Sequence, residues 1–370
     1  MVVDLFAGAG GLSLGAERAG FSVSTAVEID KHALSTHQLN FPHTKHVPKD
    51  IATLAGDELL REANLIDGQI DGIIGGPPCQ GFSVIGHQSP SDSRSLLFVS
   101  FFRLVSELKP KFFLAENVPG ILNDQHNTIR NQATALVEQD YEILKPIVVR
   151  ANEYGAATSR TRIFFIGIHR KKFPSSISSD DFMPTTLLPA RMVRVRKALN
   201  GLPIELSQSG QCKLDKKIPV QDEDDIFGSR IHGFVPKGVG DPATLEAYVG
   251  RQLVSGCIPT RHSPEVVTRF EKLAYGEMDS ISKAPKLNPN GFCPTLRAGT
   301  GPEKGSYQAV RPVHFAAPRV ITPREAARLQ GFPDWFALPP TKWHSFRQIG
   351  NSVSPIVAEQ LLSVICQKMT

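Results

Sequence analysis

Cysteine is scarce in this sequence, and the few cysteines are widely separated. The 370 residues include five of them. They are Cys79, Cys212, Cys257, Cys293 and Cys366. Because the number is odd and no two stand in a CxxC pair, the sequence indicates neither a zinc site nor a disulfide framework. A reducing cytosol suits such a chain, in which each thiol is either inert in the core or chemically active.

Long apolar runs are lacking as well. None approaches the ~20 residues that a membrane-spanning helix needs, and Met1-Val2-Val3-Asp4 lacks the basic start of a signal peptide. We therefore expect a cytoplasmic protein with no membrane partner. Hydrophobic residues make up 41% and charged residues 21% of the chain, which argues against a disordered chain. The formal charge of +5 and the pI near 8.9 permit a polyanionic partner without requiring one.

Short β-rich apolar runs alternate with helical stretches over residues 1–170. Strands are predicted at 2–6, 21–29, 46–51, 70–75, 111–115, 141–149 and 163–168. The clearest helices are predicted at 12–19 and 94–108. Because strands and helices alternate, the sequence predicts an α/β fold with a mostly parallel sheet that is covered by helices on both faces.

This pattern changes after residue 170. Residues 171–290 contain irregularly spaced glycine and proline together with basic clusters, and we place a smaller, irregular domain there. Thr322-Pro323-Arg324-Glu325 then predicts a helix start with a capping box, because the threonine, proline and glutamate suit the N-cap, first and third helical positions. A last helix is predicted at 356–367, with an apolar face that can pack on a sheet.

The first predicted strand runs into a glycine-rich turn, Phe6-Ala7-Gly8-Ala9-Gly10-Gly11. Glycines allow a tight bend and a close approach to a ligand. Glu28, at the end of the second strand, can accept from ribose hydroxyls, and Asp50, after the third, can accept from an adenine amine. The turn is not GxGxxG and no P-loop lysine follows, which favours an adenosyl ligand without phosphates. The alternative is a turn that binds nothing, with Glu28 a surface acid.

A thiol stands on a rigid turn after the fourth predicted strand, in the segment GGPPCQGFS at 75–83. Enzymes with parallel sheets bind ligands beyond the carboxyl ends of their strands, so Cys79 is a candidate nucleophile. The alternative is a buried, inert cysteine. That alternative suits the other four cysteines, which lack this context.

Three charged residues flank the next strands. Glu116, in ENVPG at 116–120, follows the fifth strand and so lies at the same edge of the sheet. Arg160 and Arg162 precede the seventh strand, and strand alternation places both on one face. The alternatives are a loop acid or helix cap for Glu116 and surface or phosphate contacts for the two arginines.

Together these segments resemble the cytosine-5 DNA methyltransferases of the bacterial modification type. The resemblance rests on DLFAGAGGLSLG at 4–15, AVEID at 26–30, GGPPCQGFS at 75–83, ENVPG at 116–120, SRTRIFFIG at 159–167, RVITPREAARLQGFP at 319–333 and RQIGNSV at 347–353. Their order and spacing also fit the family. The segment between about 170 and 315 matches only in being variable.

The resemblance implies a Rossmann-like, S-adenosylmethionine-dependent fold and no metal. Residues 1–170 and 315–370 would form a discontinuous catalytic domain, and residues 171–314 a target-recognition domain. The residues expected to bind the cofactor are Phe6, Ala7, Gly8, Gly10, Gly11, Leu12, Glu28, Ile29, Asp50, Ile51, Gly76, Pro78, Leu96, Asn351, Ser352 and Val353.

It also implies methyl transfer to carbon 5 of a cytosine that is flipped out of duplex DNA, through a covalent adduct with Cys79. Glu116 would hydrogen-bond ring nitrogen 3 and the exocyclic amine in its protonated form, which a dry pocket favours. Arg162 would hold the carbonyl oxygen of the base, with Arg160 supporting it. The loop 81–94 has the composition of a mobile lid.

Two departures and three alternatives accompany this interpretation. Thr158 stands where the family usually has glutamine, and the chain starts almost on the first strand. One branch of the family methylates tRNA, but the large basic variable region favours DNA. A non-catalytic nucleic-acid binder is disfavoured because Cys79, Glu116 and Arg162 are all present. The missing GxGxxG disfavours a dinucleotide oxidoreductase.

The expected partner is double-stranded DNA, methylated in a specific short sequence, with no obligatory protein partner. The compact chain suggests a monomeric bacterial or archaeal modification enzyme in the cytoplasm, associated with the nucleoid through DNA. It would belong to a restriction–modification system or be an orphan relative.

Overall fold

The computed structural model describes residues 1–78, 96–184, 192–206, 216–218, 226–298 and 311–369. Within these residues an eight-stranded sheet forms the centre of the molecule. The strands of the molecule are β1 (Val2–Leu5), β2 (Val23–Val27), β3 (Lys45–Val47), β4 (Gly72–Gly75), β5 (Phe112–Asn117), β6 (Tyr141–Ile143), β7 (Ile147–Arg150), β8 (Thr161–His169), β9 (Lys216–Lys217) and β10 (Leu253–Val254). The last two form a separate antiparallel pair.

The large sheet is parallel on one side and antiparallel on the other. Its order is β3-β2-β1-β4-β5-β8-β6, with β7 also paired to β8. The first five strands are all parallel, and Val2 stands opposite both Val23 and Gly72. Strand β8 runs antiparallel to β5, β6 and β7. The predicted α/β fold with a mostly parallel sheet is confirmed.

The sixth predicted strand, 141–149, is wrong as a single element. The structure has two strands there, β6 and β7, separated by Leu144, Lys145 and Pro146. Proline has no backbone N–H to donate to a neighbouring strand, so regular pairing stops before Pro146 and resumes after it. Both pieces pair with β8, β6 near His169 and β7 near Thr161.

Helices cover both faces of the sheet. The α-helices are α1 (Gly11–Arg18), α2 (Lys31–Asn40), α3 (Gly56–Ala63), α4 (Leu96–Leu108), α5 (Asn127–Ala135), α6 (Val195–Ala198), α7 (Ile226–Gly228), α8 (Pro242–Arg251), α9 (Pro264–Lys272), α10 (Pro323–Gln330), α11 (Lys342–Asn351) and α12 (Pro355–Met369). Short 3-10 segments lie at Pro119–Leu122, Asp124–His126, Ala151–Tyr154 and Ser179–Phe182, with a π-helical turn at Ser229–Gly233.

Alternation along the strands divides the core into two layers. Val2, Ile74 and Phe112 pack with α1 and α12 on one face, whereas the adjacent Val3 and Phe113 pack with α3, α4 and α5 on the other. Successive strand side chains point to opposite faces, so neighbouring apolar residues can serve both layers. The sheet is therefore buried on both sides, with its strand ends free to carry a site.

The predicted helix signals are confirmed. Thr322 accepts a hydrogen bond from the amide of Glu325 at 3.2 Å, and Glu325 accepts from the amide of Thr322 at 2.7 Å, which completes the capping box. The last helix, α12, packs on the sheet beside α1. Within the described residues, one helical stretch, Lys342–Met369, is long and apolar enough to span a membrane, and α12 is part of it. That stretch consists of two helices and is mostly buried inside the molecule.

The described part of 171–314 packs against the C-terminal helices. Buried residues between Val193 and Leu296 share one apolar cluster with α10, α11 and Trp335. Three buried arginines of this C-terminal part reach the same region, since Arg319 donates to Ile204 O, Arg324 to Ser255 O and Arg328 to Asn200 O. The division into a catalytic and a target-recognition domain at 170 and 315 stays a prediction.

Gly15 lies where α1 packs against α12, and the structure leaves no room for a side chain there. A Cβ on Gly15 would lie 2.3 Å from the Cβ of Ala358 and 2.7 Å from the amide nitrogen of Glu359. Gly15→Ala is therefore expected to lower the free energy of unfolding by about 1–3 kcal/mol. Gly250→Ala, in α8 with open space around it, is expected to raise it by about 0.5–1 kcal/mol. Urea denaturation of both variants checks this; equal effects would contradict the close helix contact.

Candidate active site

The carboxyl ends of β1, β2, β4 and β5 open into one cavity of about 330 Å³. It is lined by Phe6, Ala7, Gly8, Ala9, Gly11, Leu12, Val27, Glu28, Ile29, Asp30, Ala33, Lys49, Asp50, Ile51, Gly76, Pro77, Pro78, Leu97, Glu116, Val118, Arg160, Arg162, His344, Arg347, Gln348, Gly350, Asn351, Ser352 and Val353. A ligand site at this edge is what a parallel sheet provides. The structure thus brings together nearly all the described residues that the sequence assigned to a site.

The turn after β1 has an unusual backbone. Phe6 and Gly8 have φ angles of 60° and 58°, in the left-handed region. A non-glycine residue there is uncommon and is held by its surroundings. Here the amide of Ala7 donates to Val27 O at 3.1 Å, and the amide of Gly8 donates to Glu28 Oε2 at 2.9 Å. The turn is therefore fixed to the end of β2.

Glu28 is held at both of its oxygens. Its Oε1 accepts from the amide of Asp30 at 2.8 Å, while Oε2 accepts from Gly8. Burial raises the pKa of Glu28, the two amides oppose that effect, and the nearby Asp30 adds to it, for a net rise. Ile29 beside it is 66% exposed although it lines the cavity. This end of the cavity offers one fixed carboxyl group and an apolar surface.

The C-terminal segment closes the opposite wall. A Cβ on Gly11 would lie 2.3 Å from Val353 O, so only glycine fits at that contact. Ser352 donates through Oγ to Gln348 O at 2.7 Å, and its carbonyl oxygen accepts from Gln330 Nε2 at 2.8 Å. The contact between Gly11 and Val353 brings the two ends of the chain into one site.

Glu116 and Arg162 form an ion pair at the cavity wall. Glu116 is the last residue but one of β5, Arg162 is the second residue of β8, and the two strands are antiparallel neighbours. Arg162 Nε lies 2.7 Å from Glu116 Oε1, and both side chains are largely buried. A Cβ on Gly76 would lie 3.3 Å from Glu116 Oε2, so the turn after β4 approaches the same carboxyl group. The turn after β4, the last part of β5 and the first part of β8 therefore meet at one carboxyl group.

Arg160 connects three parts of the chain. Its Nη1 donates to Gly350 O at 2.9 Å and to Leu296 O at 3.3 Å. Thr158, in place of the family's usual glutamine, donates through Oγ1 to Cys293 O at 3.0 Å and is fully buried. The start of β8 is thereby joined to α11 and to the segment around 293–296, while Arg160 still lines the cavity.

Cys79 and the predicted lid at 81–94 lie outside the described residues. The residues just before them are placed: Pro77 and Pro78 line the cavity, and Asn117 Nδ2 donates to Pro77 O at 3.4 Å. Because Asn117 follows Glu116 directly, the chain that leads to Cys79 is held beside the Glu116–Arg162 pair. Two expected cofactor residues are not among those that line the cavity: Leu96, whose neighbour Leu97 lines it, and Gly10, which is the N-cap of α1.

Sequence reasoning assigned Asn351 of α11 to the site but missed three earlier residues of that helix. His344, Arg347 and Gln348 line the cavity although none was assigned to the cofactor. Two of them stand in the RQIGNSV segment, which therefore carried a signal that could have found them. Lys49, which precedes Asp50, was missed as well.

A buried hydrogen-bonded chain lies beneath the glycine-rich turn. Ser13 Oγ donates to Asp4 Oδ2 at 2.6 Å and lies 2.9 Å from His37 Nε2. His37 Nδ1 in turn lies 2.9 Å from His46 Nε2. Burial raises the pKa of Asp4 to about 7, the hydrogen bond from Ser13 opposes that rise, and the charge of Glu28 adds to it. Burial also lowers the pKa of His37 well below its ordinary value.

Asp4→Asn is therefore expected to alter how stability depends on pH. In the wild type the unfolded carboxyl group loses its proton near pH 3.8 and the folded one near 7, so deprotonation destabilises the folded protein progressively between those values and then levels off. The stability of the variant relative to the wild type should rise by about 3 kcal/mol from pH 5 to pH 8. Urea denaturation at both pH values measures it; a constant difference would show that Asp4 ionises normally.

The comparisons with known proteins agree with this geometry. A model of the C-5 cytosine-specific DNA methylase family matches residues 1–367. The chain belongs to this family. Relatives include the Type II methyltransferase M.XorII of Xanthomonas oryzae pv. oryzae, which is 38% identical over 96% of this chain and 82% of its own length. Another is M.DdeI of Desulfomicrobium norvegicum, 30% identical over 97% of this chain and 87% of its own.

Solved structures show the same relationship. A protein from an E. coli prophage that is classed as a DNA modification methyltransferase has 50% identity, a TM-score of 0.88 and coverage of 99% of this chain and 98% of its own. The Dnmt2 methyltransferase of S. pombe, at 17% identity and a TM-score of 0.64 over 99% and 98% of the two chains, shares the fold.

As a cytosine-5 DNA methyltransferase, the enzyme uses S-adenosylmethionine as its cofactor. The cavity fits that molecule. Its volume lies in the range of ligand sites, about 300–1,000 Å³. The contact between Gly11 and Val353 leaves no room for a side chain, and a fixed carboxyl group stands at the end of β2.

Proposed function

We propose that this enzyme methylates carbon 5 of a cytosine flipped out of a specific short sequence in duplex DNA, through a covalent adduct with Cys79. The observation that carries the proposal is the single cavity that contains Glu28, the Glu116–Arg162 pair and the two prolines before Cys79. A methyl donor and an acceptor base can therefore meet in one enclosed space.

One end of the cavity suits the cofactor. Glu28 would accept hydrogen bonds from the ribose hydroxyls, with Asp50 and Ile51 beside the adenine. The remaining positions proposed for it line the same space: Phe6, Ala7, Gly8, Gly11, Leu12, Ile29, Gly76, Pro78, Asn351, Ser352 and Val353. When bound, S-adenosylmethionine supplies an electrophilic methyl group on a sulfonium sulfur.

The other end suits a cytosine ring. Glu116 would hydrogen-bond the exocyclic amine and ring nitrogen 3, and donating to ring nitrogen 3 requires its protonated form. Arg162, now 2.7 Å from Glu116, would turn towards the carbonyl oxygen of the base. Arg160, fixed to Gly350 and Leu296, would hold the start of β8 in place. The ion pair thus satisfies Glu116 and Arg162 in the free enzyme, and the base would take the place of the contact between them.

The chemistry requires a nucleophile because carbon 5 of cytosine is a poor one by itself. The Cys79 thiolate would form a bond to carbon 6, and the electron pair of the 5,6 double bond would then attack the methyl carbon. The methyl–sulfur bond breaks in that step. Loss of the proton from carbon 5 then restores the double bond and expels the thiolate. An ordinary thiol pKa of about 8.5 leaves little thiolate at neutral pH, so the site must activate Cys79.

The enclosed position of the site requires base flipping. Glu116 is buried at the end of a sheet strand, where a base stacked in a duplex cannot reach it. Turning the base out costs a few kcal/mol in lost stacking and pairing. Residues 171–314 would offset that cost by binding the DNA. Lysine and arginine side chains would neutralise phosphates, and other side chains would contact the bases.

The biological role follows from the relatives. M.XorII and M.DdeI are Type II methyltransferases of bacteria, so we assign this chain to DNA modification in a bacterial cytoplasm, as the partner of a restriction enzyme or as an orphan. We propose that it acts as a monomer, because one catalytic cavity is sufficient to modify one strand at a time.

Labelled methyl transfer to duplex DNA of mixed sequence and, separately, to tRNA tests the proposed substrate. We expect transfer to the duplex, at cytosines in one short sequence that bisulfite sequencing of the product will identify. Transfer to tRNA alone would keep the chemistry but overturn the substrate. Transfer to neither, with cofactor binding retained, would identify the chain as an inactive binder.

A further inference from the structure

Helices α2 and α11 meet across the rim of the cavity. Arg347 Nη1 of α11 lies 2.8 Å from Asp30 Oδ2, the N-cap of α2. Gln348 Nε2 donates to His32 O at 3.0 Å, and the rings of His32 and His344 are in contact, tilted by 34° with their centroids 3.9 Å apart. Three separate contacts thus join the first turn of one helix to the other.

Asp30 connects this rim to the ribose-binding carboxyl group. Its backbone amide donates to Glu28 Oε1 at 2.8 Å, while its side chain accepts from the amides of His32 and Ala33 at 2.9 and 3.0 Å. Burial opposes the charge of Asp30, but those amides and the Arg347 guanidinium together hold its pKa below the ordinary value. Asp30 is therefore charged and fixed in place, and it connects Arg347 to Glu28 through its side chain and its backbone amide.

Arg347 is well placed to hold the side chain of Asp30. Its guanidinium lies 5.2 Å from the centre of the Trp343 ring, which limits its freedom. The side chains of Arg347 and Asp30 are 40% and 28% exposed, so the pair lies at the cavity mouth and not in the core. Both residues also line the cavity.

We propose that Arg347 is a positioning residue for the cofactor: by holding Asp30 it fixes Glu28 and the first turn of α2, and it slows cofactor release. This inference rests on the proposed cofactor site. The ion pair joins residues 317 positions apart, so it acts only when the C-terminal segment is docked. Arg347 lies at the cavity mouth, so we expect the rate of the chemical step not to depend on it.

The test compares Arg347→Gln, Arg347→Lys and the wild type in binding S-adenosylhomocysteine, by calorimetry and by stopped-flow release. Arg347→Gln should bind about 3- to 10-fold more weakly, mainly through faster release. Arg347→Lys should recover part of the loss because it keeps the charge. KM for S-adenosylmethionine should rise, while kcat and the unliganded unfolding temperature stay unchanged. Arg61→Gln, which removes the same charge from a surface pair with Asp57, is the matched control and should bind like the wild type.

Asp30→Asn separates the proposed route from direct contact, because asparagine still caps a helix but carries no charge. Adding Arg347→Gln to Asp30→Asn should weaken binding no further. If the second change weakens binding equally in that background, Arg347 acts independently of Asp30 and the inference is wrong; unchanged binding by Arg347→Gln alone would also contradict it. A wild type that binds no S-adenosylhomocysteine would instead overturn the proposed cofactor site.

Discussion

Replacing Cys79 with alanine is expected to lower methyl transfer to DNA by about 10⁴-fold or more, because the proposed reaction has no other route to a nucleophilic carbon 5. The two buried thiols, Cys257 and Cys293, cannot substitute. Burial raises the pKa of Cys257 to about 12 and that of Cys293 further, so both stay protonated in the core. Single-turnover transfer of a labelled methyl group measures the loss.

Two controls make the Cys79→Ala result specific. S-adenosylhomocysteine should bind the variant about as well as the wild type, because the glycine-rich turn and Glu28 are unchanged. Cys366→Ala, a half-buried thiol beside Gly20 at the far end of α12, should retain full transfer. Loss of cofactor binding in Cys79→Ala, or transfer at an appreciable rate, would count against the assignment of Cys79.

Glu116→Gln is expected to slow methyl transfer by about 10²-fold or more while leaving cofactor affinity within a few-fold of the wild type. Glutamine has the same shape, but it cannot exchange a proton with ring nitrogen 3. It also leaves the Arg162 guanidinium, 2.7 Å away, without its counter-charge. Transfer rates at saturating cofactor measure the effect.

Glu28→Gln is the matched variant, since it makes the same chemical change at the opposite end of the cavity. It should weaken S-adenosylhomocysteine binding and raise KM for S-adenosylmethionine, with a smaller effect on kcat. The two variants should therefore separate base chemistry from cofactor binding. If Glu116→Gln lost cofactor affinity instead, the assignment of the two carboxyl groups to the two ends would be wrong.

Much of the fold could be predicted because it depends on local pattern. Apolar runs bounded by glycine and proline marked the parallel strands, and Thr322 with Glu325 marked a helix start through residues only three apart. The break between β6 and β7 could also have been predicted, since Pro146 stands inside the predicted strand 141–149. That proline should have divided the prediction in two.

The site was predictable as a set of residues but not as an arrangement. The Glu116–Arg162 pair depends on the antiparallel register of β5 and β8, and the Gly11–Val353 contact depends on how α12 docks. Both join distant residues through packing that no local pattern encodes. The raised pKa of Asp4 likewise follows from burial beneath the turn. Leu96 was carried over from the family resemblance, whereas its neighbour Leu97 lines the cavity.

The most direct test of the central claim is to trap the covalent adduct. Duplex DNA with fluorine on carbon 5 of the target cytosine has no proton there to lose, so the thiolate cannot be expelled after methyl transfer. We expect a one-to-one covalent complex that forms only with S-adenosylmethionine, whose peptide map places the base on Cys79 and which Cys79→Ala does not form. An adduct on another residue, or no adduct with an enzyme that methylates ordinary duplex DNA, would contradict the account.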